Sequence, residues 1–145
     1  MFGDRDQLRA QFIDAWEKAR AGQALDGLEA QLAAVITEHP EYHDLLADRE
    51  RALAADFAPE GGQSNPFLHM AMHLSLREQA ATDRPPGIRD IHRRLSLSVG
   101  ALEAEHRMLE CLGSVLWEAQ RAGRMPDEQA YLECLRRLDP APPDN

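Results

Sequence analysis

The sequence predicts an all-α fold: a single-domain bundle of roughly five to seven helices over residues 1–139, followed by a flexible Pro-rich tail at 140–145. Three observations predict it. Apolar residues recur at helical spacing along most of the chain. No stretch sustains the apolar-polar alternation of a strand. Helix start and stop residues stand where the periodic runs begin and end.

The first helix spans about Asp4 to Arg20, with Leu8, Phe12, Ala15, Trp16 and Ala19 as its apolar stripe and Gly22 as its stop. The second opens at Asp26 with Glu29 three residues on, the spacing of a capping box. Leu28, Leu32, Val35 and Ile36 form its expected buried face. Pro40 disfavours helical geometry at His39, so this helix ends there, and Pro40 can begin a short helix through Leu46. Asp48 to Phe57 reads as another short amphipathic helix, and Ala58 to Ser64 as a loop built on Pro59, Gly61 and Gly62. Asn65-Pro66 is an N-cap followed by proline at the first helical position. The helix from Pro66 to about Ala81 is apolar all round, the mark of a central, buried element. Asp83 to Gly87 is a turn. Ile88, Ile91, Leu95 and Val99 continue at helical spacing, with a break expected near Ser96, Ser98 and Gly100. Ala101 to Ala122 carries a stripe of Leu102, Leu109, Leu112 and Leu116, and Gly123 stops it. Pro126 opens a last helix with Tyr131, Leu132, Leu135 and Leu138.

Composition narrows the function. Sixteen basic and 25 acidic side chains give 145 residues a formal charge of −9, which argues against nucleic acid and against an anionic membrane, both of which want a basic face. The first residues lack the cationic and apolar runs of an export signal, so a cytoplasmic protein is expected. Cys111 and Cys134 then read as reduced thiols serving as small apolar residues. A protein partner or a homo-oligomer stays open.

The chemistry concentrates in the histidines. His39/His43 and His69/His73 are both i, i+4 pairs, which on a helix stacks two imidazoles on one face. Two rings so placed can converge on one metal ion. His69 and His73 lie in the helix expected to be most buried, and His106 lies on a core stripe between Leu102 and Leu109. A buried imidazole needs a hydrogen-bond partner or a metal. Glu110 follows His106 by four residues and Glu103 precedes it by three, the latter being the Glu-x-x-His spacing of carboxylate-bridged di-iron bundles. The candidate ligands are therefore His69, His73, His106 and Glu110, with His39, His43 and Glu103 completing a second metal or supporting the first. Imidazole with carboxylate suits iron, zinc or manganese. The competing reading makes these core histidines, bonded to carbonyls or to Glu78, Glu103 or Glu110. His92, beside Arg93 and Arg94, reads as a surface residue, and Met70, Met72 and Met108 as core filler.

Other chemistry is missing. Met70 follows His69, so there is no His-Glu-x-x-His; no phosphate-binding glycine loop, Gly-x-Ser-x-Gly elbow or Cys-x-x-Cys occurs, and no nucleotide cofactor is implied. Whether the protein is an enzyme is left open by these residues.

Several blocks carry a family resemblance: His39-Pro40-Glu41-Tyr42-His43, Asn65-Pro66-Phe67-Leu68-His69, Met72-His73-Leu74, Glu78-Gln79, Pro85-Pro86-Gly87-Ile88, and His106 with Met108 to Leu112. In this order they resemble a bacterial family of small, all-helical, uncharacterised proteins, domain of unknown function 1841. The resemblance implies a small cytoplasmic protein and no particular activity. The ligand inventory is also similar to that of hemerythrins, helical bundles with five histidines and two carboxylates around two irons, although the Glu-bearing pair comes last here. The expected function is a metal-binding helical bundle; the alternative is a non-catalytic interaction module with structural histidines.

Overall fold

The computed structural model describes residues 3–57 and 65–140, with side chains from Asp6 onward. The expected loop at 58–64 and the tail residues 141–145 lie outside them. The described residues form α1 (Gly3–Arg20), α2 (Gly27–Thr37), a 3-10 turn (Pro40–Tyr42), α3 (His43–Ala47), α4 (Arg49–Ala54), α5 (Pro66–Thr82), α6 (Ile88–Val99), α7 (Ala101–Ala122) and α8 (Glu128–Leu138). They contain no strand. The all-α expectation holds, with eight α-helices instead of five to seven. Both breaks that the sequence marks, at Asp48 and near Gly100, are present. Asp48 separates α3 from α4 by turning its carboxylate to the Arg51 N–H at 3.1 Å, and Gly100 separates α6 from α7 with φ of 96°. No helix among the described residues is long and apolar enough to cross a membrane. The chain divides into two compact units, Met1–Leu74 and Ser75–Asn145, with the boundary inside α5.

In the first unit α1 packs on α2, α3 and α4. Phe12, Ile13, Leu32, Val35, Ile36, Leu46, Ala52, Phe67 and Met70 form one buried cluster. The capping box at α2 is present: Asp26 accepts from the Glu29 N–H at 2.7 Å, and Glu29 accepts from the Asp26 N–H at 3.0 Å. Leu28 departs from expectation at 52% exposed, because the box fixes the start of α2 so that its buried face begins at Leu32. Asn65 caps α5 as expected, accepting from Phe67 and Leu68 N–H. The buried face of α5 in this unit is Phe67, Met70 and His73, while Leu68 is 56% exposed; the helix is not buried all round.

Arg9 is the least expected core residue. It is 2% exposed, and its Nη1 donates to the carbonyls of Ala52, Leu53 and Ala55 at 2.9, 3.2 and 2.8 Å. These are terminal carbonyls of α4, which lack intrahelical donors. The guanidinium also lies over the rings of Phe57 and Phe67, 5.5 and 5.1 Å from their centroids. A charge is tolerated here because dipoles and π-faces surround it.

In the second unit α6, α7 and α8 pack on one another. Ile88, Ile91, Leu95, Met108, Leu112, Tyr131 and Leu135 are among the residues they bury. Gly123, at φ 66°, stops α7 as expected. Glu105, 4% exposed, is held by Arg77 through a two-point contact at 2.9 and 3.0 Å. The Tyr131 hydroxyl donates to Gln79 at 2.6 Å. Cys111 and Cys134 are not free thiols: a disulfide joins α7 to α8 across 23 residues. Each cysteine falls on a helix face turned to the other helix, a pairing that linear spacing does not reveal.

Two measurements check these elements. Arg9→Met leaves three α4 carbonyls without their charged donor, and is expected to lower the unfolding free energy in urea by about 2–4 kcal/mol. Glu29 has its carboxyl held below the ordinary range, first by the hydrogen bond from Lys18 at 2.7 Å and next by the Asp26 N–H. Its folded pKa is lower than its unfolded one, so its contribution is complete above the ordinary glutamate value and disappears as pH falls through the folded value. Glu29→Gln is therefore expected to flatten part of the acid limb of a stability-versus-pH curve, and also part of the alkaline limb, because Glu29 is what raises the Lys18 pKa.

Candidate metal centre

Pro40 shapes the centre from the backbone outward. In a continuing helix the N–H of residue 40 would bond the carbonyl of Ile36, and proline has none. The chain turns at His39 instead, whose own N–H bonds Ile36 O at 2.9 Å. That leaves Val35 O without its usual donor, and the His39 ring supplies one: Nδ1–H donates to Val35 O at 2.7 Å. A carbonyl only accepts, so the proton of this ring sits on Nδ1, and Nε2 is the nitrogen left with its lone pair. His39 is 2% exposed. It occupies the N-cap position of the 3-10 turn but makes no side-chain cap there; its ring caps the end of α2 instead.

His43 meets the same need differently. Its Nε2–H donates to Ile36 O at 2.8 Å, and its ring lies on Trp16 with centroids 4.7 Å apart. The break at Pro40 destroys the common face that the i, i+4 spacing promised, and His43 stands apart from His39 as a cap for α2.

His69 and His73 keep that face because α5 is continuous. Their Nε2 atoms are 3.2 Å apart and their ring centroids 4.7 Å apart. His73 is fully buried and His69 partly so. The His39 ring meets both, with centroids 5.2 Å from His69 and 4.9 Å from His73. One ring nitrogen from each of the three lies within 4.8 Å of the others, close enough that the cluster could hold a metal ion. Ligands at about 2.0–2.1 Å on a tetrahedral ion are roughly 3.3–3.4 Å apart, so the His69–His73 separation already fits one edge of such a shell. Tyr42 stacks on the outer side of His39 at 5.5 Å with planes 2° apart, and burial pushes its hydroxyl pKa up, Glu41 adding to the effect.

The remaining candidates lie in the second unit. His106 is partly buried on α7. Glu103 and Glu110 are both exposed, and Glu103 is bonded to Arg107 at 3.0 Å. The buried acid of α7 is Glu105, whose position beside His106 matches no ligand spacing. His92 is not a plain surface residue: its side chain is 23% exposed and its Nε2 faces Glu105 Oε2 at 3.7 Å, too long for a hydrogen bond. The described histidine cluster is thus built of imidazoles, and the hemerythrin-like inventory of five histidines and two glutamates does not gather at it.

No curated protein and no solved structure matches the chain. Residues 4–137 match the family described as a domain of unknown function (DUF1841), the one whose motif blocks the sequence resembles. That match spans nearly the whole chain, which belongs to this family.

Proposed function

We propose that this chain is a metal-binding helical protein whose site is made by the imidazoles of His39, His69 and His73. The observation that carries the reading is the convergence of three buried or half-buried imidazole rings on one another. A set of imidazole nitrogens without carboxylate favours zinc or iron over manganese. The Val35 carbonyl behind His39 fixes the tautomer and aims Nε2, the arrangement that metal-ligating histidines use. Three imidazoles holding the ion with the fourth position exchangeable would leave room for water or a small ligand; four would make a closed, structural site. Glu103, Glu110 and His43 have no part in it.

Elemental analysis of untagged protein, made at native metal supply, tests the reading. About one zinc or iron per chain is expected. His73→Ala and His39→Ala are expected to reduce affinity beyond the roughly 10–100-fold lost when a partner behind a ligand is removed, and His92→Ala to leave metal content as it was. Circular dichroism of each variant separates lost metal from lost fold. Metal content that survives both substitutions, or its absence from a folded native chain, would overturn the proposal.

A further inference from the structure

The second unit holds a feature unrelated to the histidines. A cavity of about 210 Å³ between α7 and α8 is lined by both disulfide cysteines together with Ser114, Arg124, Asp127 and Arg137. It falls below the roughly 300 Å³ at which drug-sized pockets begin, so it suits only a small molecule. Its charges are unevenly engaged. Asp127 accepts from the Ala130 N–H as the cap of α8, and Glu118, also on the wall, is bonded to Arg121 at 2.9 Å. Among the described residues Arg124 and Arg137 have no ion-pair partner. Two uncommitted guanidinium groups beside a disulfide form a seat for a carboxylate whose molecule also carries sulfur.

We infer that Cys111–Cys134 is a reversible thiol–disulfide centre, and that the cavity seats a low-molecular-weight thiol bearing carboxylates, held by Arg124 and Arg137. The two cysteines differ in access: Cys111 is 2% exposed and Cys134 is partly exposed. The thiolate of the small molecule attacks Cys134 Sγ, the Cys111–Cys134 bond breaks, and Cys111 leaves as a thiolate that takes a proton from water. A second molecule of the same thiol attacks the sulfur of the bound one. Its product is the small-molecule disulfide, and Cys134 is released as a thiol. One protein disulfide and two thiols thus become one protein dithiol and one small disulfide, and the reverse reaction reoxidises the pair. In the reducing cytosol that the sequence reading expects, a persistent disulfide is unusual and a reversible one is the common kind.

The overall charge makes the test discriminating. A chain at −9 repels anions, so without a specific seat an anionic thiol should react more slowly than a cationic one. Oxidised full-length protein is mixed separately with mercaptosuccinate, 2-mercaptoethanol and cysteamine. Each rate is divided by that thiol's rate with a simple dialkyl disulfide, which removes intrinsic nucleophilicity. Acid quenching and peptide mass spectrometry then locate the mixed disulfide. Mercaptosuccinate is expected to lead cysteamine by about tenfold, with the adduct on Cys134, and the lead is expected to reverse in an Arg124→Gln, Arg137→Gln variant. Normalised rates that favour cysteamine in the native chain, an adduct on Cys111, a lead untouched by the double substitution, or a rate independent of thiol concentration would each overturn the inference.

Discussion

The hydrogen bond from His39 Nδ1 to the Val35 carbonyl is the constraint on which the candidate centre rests. It exists because Pro40 cannot donate to the end of α2. The backbone problem is local, one helix terminus with carbonyls to satisfy, but its solution has a wider effect. It buries an imidazole, fixes its tautomer and sets its ring beside those of His69 and His73. A ring placed there merely for packing would be free to flip; this one is held.

Side-chain donors on helix ends recur through the molecule. His39 and His43 serve α2, Arg9 serves α4, and Arg89 reaches the Ala80 and Ala81 carbonyls near the end of α5 at 3.1 and 2.6 Å. Each of these helices lacks a glycine in the left-handed conformation at its end. Where one is present, as at Gly22 after α1 and Gly123 after α7, backbone N–H groups close the terminus and no side chain is recruited. The choice has consequences, because a glycine end is inert whereas a side-chain end brings a charge or an imidazole into the interior. In the first unit Arg9 and His39 are buried at non-glycine helix ends, whereas His73 is buried within α5.

Signals that act over a few residues were legible in the sequence. The Asp26–Glu29 box, the Asn65-Pro66 start and the Gly123 stop are where their chemistry demands. The His69/His73 face survives for the same reason, since α5 runs unbroken between them. What spacing could not supply was tertiary direction. His39 and His43 have the same i, i+4 interval, yet a single proline parts them. Glu103 and Glu110 have attractive intervals from His106 but face solvent, and Glu105, with no motif to recommend it, is the buried acid. The Arg9 site and the Cys111–Cys134 bond each join segments whose approach depends on packing. Leu28 stands at helical spacing from Leu32, yet it lies outside the buried face.

X-ray absorption at the edge of the bound metal tests the central claim most directly, because it reads the donor atoms themselves. A shell of light donors at about 2.0–2.1 Å with the multiple scattering of three imidazoles is expected, reduced by one ring in His39→Ala. A shell dominated by carboxylate oxygen or by sulfur, or an imidazole count that His39→Ala leaves unchanged, would contradict it.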